Sequence, residues 1–191
     1  MEKEQMKEKV AITKYDGTLN SLRKAIELCS GFEELKPDHK ILLKPNIIWA
    51  GTKKLPPFGV VTMRQWSNIF FVFYVERGCK DITIGEGTVV NKELGSNTLK
   101  GYDWSGIGKV AKRYGVKLVD FNTEAFEEVQ LEEIKVNISR WALESEFLIN
   151  LPVLKAHQQT KISLGMKNLK GCLALNSKKK FHRKDWGSNL Y

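Results

Sequence analysis

Lysine, asparagine and histidine side chains follow several short apolar runs of the sequence. Lys44 and Asn46 come after one run, and Lys155 and His157 alternate after another, so that each pair can point to one side. Ammonium groups bind carboxylates and phosphates, an asparagine amide donates to a ligand oxygen, and histidine moves protons near neutral pH. These residues predict a site for an anionic small molecule, with His157 as the candidate catalytic residue.

Each of these residues also has a structural interpretation. Lys44 could extend its aliphatic stem along the protein until its ammonium group reaches solvent. Asn46 could make an Asx turn, and His157 could be a hydrogen-bonded structural ring. Both interpretations stay open at this point, and whether the protein is an enzyme is uncertain.

A second group of candidates surrounds two glycines. Gly85 and Gly87 flank Glu86 directly after an apolar segment. Glycines here would let backbone N–H groups approach an anion, and Glu86 is a candidate metal ligand or base. The alternative is a plain tight turn with a solvated acid, because a G-x-G sequence alone does not define a dinucleotide site. Further along, Lys167 and Asn168 are candidate ligand-binding residues, and Thr160 resembles a helix cap whose helix dipole would add to an anion site.

The elements that must position these residues alternate between strand-like and helix-like segments. Continuous apolar runs predict strands, and apolar residues three and four apart predict helices. Strands are predicted over 9–15, 40–44, 81–85, 116–121 and 146–151, helices over 18–29, 62–77 and 105–114, and a small hairpin over 128–138.

This alternation predicts an α/β fold with a mainly parallel sheet, helices on both faces and a small β-hairpin insertion. We expect a single domain over residues 1–191, since no linker divides the chain. Ligands of open α/β sheets bind beyond the carboxyl ends of the strands. The polar residues at four strand ends are therefore expected to form one composite site.

The charge is concentrated at one end of the chain. The 191 residues contain 31 Lys and Arg against 22 Asp and Glu, a net charge of +9. Residues 151–191 hold nine basic residues and one acid, so this segment carries +8 of that charge. Its last part, residues 178–186, interleaves basic and aromatic side chains. That pattern suits a nucleic-acid surface, but a solvated chain end is the favoured interpretation, so nucleic acid is an unlikely partner.

Cysteine usage and hydropathy predict the compartment. Cys29, Cys79 and Cys172 are far apart and form no iron–sulfur ligand motif, which is typical of reduced thiols, and the cofactor is unknown. A metal site from His157, Cys172 and His182 is conceivable, but its spacing matches no compact ligand pattern. The longest apolar run, residues 69–75, is far shorter than the roughly 20 residues of a membrane span. We expect a cytoplasmic protein with no membrane partner.

Four segments together resemble a known family. They are Lys44-Pro45-Asn46, Ile84-Gly85-Glu86-Gly87, the L-I-N-L-P-V-L-K-A-H run of residues 148–157, and the L-G-M-K-N-L-K-G-C run of residues 164–172. This combination resembles the prokaryotic domain family of unknown function numbered three-six-two. The resemblance covers nearly the whole chain.

The resemblance has implications for partners. Members of that family are often labelled iron–sulfur cluster-binding, because many are fused to a ferredoxin-like module. It implies that a ferredoxin-like module or partner carries any cluster, since the cysteine-rich segment is missing here. Family members also continue past the position of His182, so the resemblance implies a domain that is incomplete at its C-terminal end. A role as an accessory to an iron–sulfur electron-transfer system is the alternative function.

Overall fold

The computed structural model describes residues 9–51, 59–62, 76–91, 93, 95–132, 134–157 and 160–180. Most of the helix predicted over 62–77 lies outside these residues. The centre of the fold is a four-stranded parallel sheet of β1 (Ile41–Pro45), β2 (Ile82–Glu86), β3 (Lys117–Asp120) and β6 (Phe147–Leu151), in the order β3-β2-β1-β6. Strands β1 and β2 are buried along their whole length, as expected for the central strands of a parallel sheet that is covered on both faces. These four strands were predicted, and the α/β class is confirmed.

Helices cover both faces of this sheet. On one face, α1 (Leu19–Leu28), α2 (Thr98–Ser105) and α3 (Ile107–Tyr114) pack on Ile41, Leu43 and Ile84. On the other face, the short helix α4 (Arg140–Leu143) and a 3-10 helix (Lys170–Cys172) pack on Leu42 and Val119. The helix predicted over 105–114 corresponds to α3, and α2 before it was not predicted; Gly106, with a left-handed φ of +81°, separates the two helices.

Two antiparallel hairpins complete the described elements. The predicted insertion is confirmed as β4 (Phe126–Leu131) paired with β5 (Ile134–Ser139). A second hairpin, β7 (Lys155–His157) with β8 (Lys161–Ser163), was not predicted. It is followed by α5 (Gly165–Leu169), the 3-10 helix and α6 (Leu175–Lys180).

Two local predictions were wrong. Residues 9–15 form no strand: Val10 and Ile12 are 83% and 94% exposed, so the apolar side chains that suggested a strand are not buried in the core. Thr160 does not cap a helix: it leads into β8, and the next helix begins only at Gly165. The helix dipole that was expected to add to the predicted anion site is therefore absent at Thr160. None of the described helices is long and apolar enough to span a membrane.

Candidate functional site

The polar strand ends meet at one edge of the sheet. Because β1, β2, β3 and β6 are all parallel, their carboxyl ends lie side by side. Asn46 follows β1, Gly87 follows β2, and Asn122 follows β3. The β7–β8 hairpin begins only four residues after β6 and brings Lys155 to the same edge. The structure thus brings the candidate residues of distant sequence segments together.

Lys44 and Glu86 form an ion pair inside the protein. The Lys44 Nζ and Glu86 Oε2 atoms are 2.7 Å apart, and the two side chains are 0% and 3% exposed. Lys44 also donates to the Pro45 carbonyl, while the Glu86 carboxylate accepts from the backbone N–H groups of Ile47 and Gly87. We call this ion pair the buried pair. Its charges compensate each other, so it lies beneath the edge and does not present an ammonium group to solvent.

Glycines allow the chain to close over the buried pair. A Cβ at Gly171 would lie 2.8 Å from the Lys44 Nζ and would collide with the Glu86 carboxylate. A Cβ at Gly87 would lie 2.6 Å from the Gly171 carbonyl oxygen. Gly85 serves packing instead, since the Phe121 ring occupies the space of its missing side chain. Both predicted glycines are therefore needed for close approach within the protein, and the Gly87 N–H points at Glu86.

Asn46 holds Lys155 in place. The Lys155 Nζ donates to the Asn46 Oδ1 over 3.1 Å and to the Val60 carbonyl over 2.8 Å. The Asn46 Nδ2 donates to the same carbonyl, and its backbone N–H donates to Thr62. Thr62 in turn donates to the Leu151 carbonyl at the end of β6. The Lys155 ammonium is therefore anchored over the ends of β1 and β6.

Asn168 fastens α5 to the sheet. Its Nδ2 donates to the Asn150 Oδ1 over 2.7 Å and to the carbonyls of Lys44 and Pro45. The Asn150 amide donates back to the Gly165 carbonyl. Asn168 is buried, and these contacts direct its donors into the protein. Asn168 therefore fixes the position of α5, which carries Lys167 and leads directly to Lys170.

Lys178 is anchored at the other half of the edge. Its Nζ donates to the Gly87 carbonyl over 2.8 Å and to the Asn122 Oδ1 over 3.4 Å. The Asn122 amide donates to Thr88 and Thr98, and Thr98 donates to the Asp120 carboxylate. Lys178 thus lies over the ends of β2 and β3. The sequence places Lys178 in the segment for which a solvated chain end is the favoured interpretation. Only the net charge of +8 over residues 151–191 indicates that this segment could contribute to a site.

Four half-buried lysines, Lys155, Lys167, Lys170 and Lys178, form what we call the lysine row. Burial lowers the pKa of Lys155 and Lys170 to about 8, and in both cases the positive charge of Lys167 adds to the effect. Burial also lowers the pKa of Lys167. Burial lowers the pKa of Lys178 to about 8 even though the Glu86 and Asp120 carboxylates oppose the change. The row therefore concentrates positive charge where hydration is reduced.

His157 lies beside this row. Burial is the main cause that lowers its pKa, and the charges of Lys167, Lys170 and Lys155 follow. The ring is therefore neutral at neutral pH. Its Nδ1 accepts a hydrogen bond from the Thr160 N–H over 3.2 Å, so the neutral ring carries its proton on Nε2.

The cysteines and acids give no metal centre in the described part of the chain. No group of three or more His, Cys, Asp or Glu side chains is placed there to hold a metal ion. Cys172 packs against Leu42, Val119 and Phe121, and burial raises its pKa to about 11. It is a packed thiol, and His182 of the conceivable metal set lies outside the described residues.

The fold and this edge define an α/β domain with a lysine-rich site at the carboxyl ends of a parallel sheet. Residues 41–190 match the family described as "Domain of unknown function (DUF362)", and the chain belongs to that family. The resemblance seen in the four sequence segments is confirmed.

One curated relative shows the extent of the match. The chain is 26% identical over 165 residues to the thylakoid-associated protein sll1697 of Synechocystis sp.. The match covers 86% of this chain and 49% of the relative, so the chain spans about half the length of the curated relative it matches. No solved structure matches. The single, incomplete domain and the cytoplasmic location both stay predictions.

Proposed function

We propose that this domain binds a small anionic molecule or cofactor at the carboxyl edge of its sheet, with the lysine row as the binding surface. The observation that carries this proposal is the crowding of half-buried ammonium groups whose charges oppose one another. Lys167 acts on both Lys155 and Lys170, and Lys170 is also opposed by Lys178. A bound anion would relieve this repulsion and restore the lost hydration with charge-assisted hydrogen bonds.

Lys167 is the member best placed to contact a ligand. It is half-buried, yet within the described ranges it makes no hydrogen bond or ion pair, whereas Lys155 and Lys178 are each held by protein oxygens. An ammonium group has three donors, and the two oxygens that hold Lys155 leave one donor for an anion. Lys167 and Lys155 would therefore supply direct contacts.

The other predicted residues would support the site. Asn46 orients Lys155, Asn168 fixes α5, and the buried pair fixes the ends of β1 and β2. His157, beside the lysine row, is the group through which a proton could move if the domain catalyses a reaction. The proposed function is therefore anion binding, and catalysis through His157 would be an additional activity of the same site.

Thermal unfolding in the presence of anions tests the proposal. Phosphate, sulfate and citrate would be compared with chloride at equal ionic strength, since general screening acts equally in all of them. An anion at ten times its Kd stabilises the folded state by about 1.4 kcal/mol, which raises Tm by roughly 3–5 °C in a chain of this size.

Two variants separate site binding from general charge effects. Lys167→Met keeps the aliphatic stem, removes the ammonium group and should abolish the shift. Lys179→Met removes an exposed charge from α6 and should leave the shift intact. Equal melting temperatures in chloride and in every polyvalent anion, or equal losses in both variants, would rule out the proposed site.

A further inference from the structure

The lysine row is extended, and this shape constrains the ligand. Lys155 is anchored to Val60 and to Asn46, which follows β1 and is joined through Thr62 to the end of β6. Lys178 is anchored to Gly87 and Asn122, over the ends of β2 and β3. The strand order is β3-β2-β1-β6, so the two ammonium groups lie over opposite halves of the sheet.

The spacing of the two anchors follows from sheet geometry. Neighbouring strands are about 4.8 Å apart, so the midpoints of the β2–β3 and β1–β6 pairs are separated by roughly 10 Å. Ammonium-to-oxygen contacts of about 2.8 Å at each end leave roughly 4–5 Å between the two anionic groups of a bridging ligand. That separation suits a short molecule with a charge at each end.

The interior of the row supports a bridging ligand. Electrostatic interactions link Lys155 to Lys167, Lys167 to Lys170, and Lys170 to Lys178, so positive charge continues between the two anchors. Beneath the row, Gly171 lies against the buried pair without a side chain. A ligand can therefore contact more than one ammonium group along its length.

We infer that the site selects a short dianion, with one acidic group at Lys155 and the other at Lys178, over a monoanion of equal size. This inference rests on the proposed function, because it names the class of anion that the same site would take. A dicarboxylate and a diphosphate share the required chemistry. The experiment below distinguishes these two classes of dianion by comparing the affinities for succinate and for pyrophosphate.

The experiment compares matched probes by NMR titration of the purified chain. Butyrate and succinate both have four carbons but carry one and two carboxylates, and phosphate and pyrophosphate form a second pair. Each additional charge-assisted contact should strengthen binding roughly tenfold to a hundredfold, so succinate and pyrophosphate should bind tighter than their partners by that factor. Among dicarboxylates from oxalate to adipate, affinity should peak at succinate or glutarate.

Three variants locate the two ends. Lys155→Met and Lys178→Met should each reduce the affinity for the dianion toward that of the monoanion, whereas Lys179→Met, an exposed neighbour in the same helix, should not. Circular dichroism establishes that each variant is folded.

The outcomes separate this inference from the proposed function. Equal affinities for butyrate and succinate and for phosphate and pyrophosphate, or an effect of only one of the two lysines, would overturn the dianion inference while leaving anion binding in place. Absence of binding by all four probes would overturn both.

Discussion

Replacing Lys44 with methionine would leave the Glu86 carboxylate inside the protein without its countercharge. The two side chains are 0% and 3% exposed, so water cannot take the place of the lost ammonium group. Glu86 would keep the N–H groups of Ile47 and Gly87, whereas Lys44 in the reverse variant, Glu86→Gln, would keep the Pro45 carbonyl and face a neutral amide in place of the carboxylate. The two single variants therefore leave different amounts of hydrogen bonding behind.

The magnitude follows from these remaining contacts. Removing one partner of a buried ion pair costs about 3–5 kcal/mol. We expect Lys44→Met near the lower end, about 3 kcal/mol, because two N–H donors still stabilise the carboxylate. Glu86→Gln should cost about 4–5 kcal/mol, since the new amide N–H₂ also faces the Gly87 or Ile47 N–H. The double variant should lose at least ~1 kcal/mol less than the sum of the two, because neither uncompensated charge remains.

Urea unfolding followed by tryptophan fluorescence measures these losses. The exposed pair of Lys135 and Glu128 is a matched control, because its atoms are 2.8 Å apart while its side chains are 62% and 54% exposed. Lys135→Met should cost less than about 1 kcal/mol, in line with surface ion pairs. The contrast between the two lysines isolates burial, since their distances to the carboxylate are nearly equal.

Two results would refute the reasoning. One is a loss for Lys44→Met no larger than that for Lys135→Met, which would mean that the buried pair is hydrated. The other is strict additivity in the double variant, which would mean that the two charges do not interact in the folded protein.

Two further predictions concern the same edge. Gly171→Ala should destabilise the fold by about 2–3 kcal/mol in urea unfolding, because the new methyl group would collide with Glu86 and Lys44. The control variant is Gly165→Ala, whose methyl group would meet only Asn150 at 3.6 Å and should cost less than ~0.5 kcal/mol. Equal losses in the two variants would contradict the close packing at Gly171. Because burial lowers the pKa of Lys155, Lys170 and Lys178 to about 8 from 10.5, the folded state releases these protons before the unfolded state does. The free energy of unfolding without anions should therefore rise between pH 8 and 10.5, while the affinity for anions falls. Lys178→Met should reduce the pH dependence of both quantities. If stability and anion affinity changed in the same direction with pH, the lowered pKa values of these lysines would be wrong.

The sheet was predictable because its strands are locally encoded. β1, β2 and β6 are each short and rich in large apolar residues, as strands that pack on the core of a parallel sheet are. The segment 9–15 has the local pattern of a strand, but Val10 and Ile12 are exposed and the segment pairs with no strand, which no local pattern can reveal. The β7–β8 hairpin was missed because each of its strands has only three residues, which is too short for a periodic pattern.

The site was predictable only in part, since its contacts join distant segments. Lys155 and His157 were found because they alternate after a predicted strand. The pairing of Lys44 with Glu86 spans 42 residues, and the contact of Lys178 with Gly87 spans 91, so no local pattern reveals either. Partnership with a ferredoxin-like module stays a prediction drawn from the family resemblance.

The loops at the strand ends and the segment after β6 contribute different parts of the proposed site. The loops that follow β1, β2 and β3 supply the oxygen atoms that hold Lys155 and Lys178, while all four ammonium groups of the lysine row come from residues 155–178, after β6. If the proposed site binds an anion, its preference can therefore change through substitutions in one short stretch while the hydrophobic core stays the same. A library randomised at the four lysine codons, selected for binding of anions that differ in charge and length, would test this.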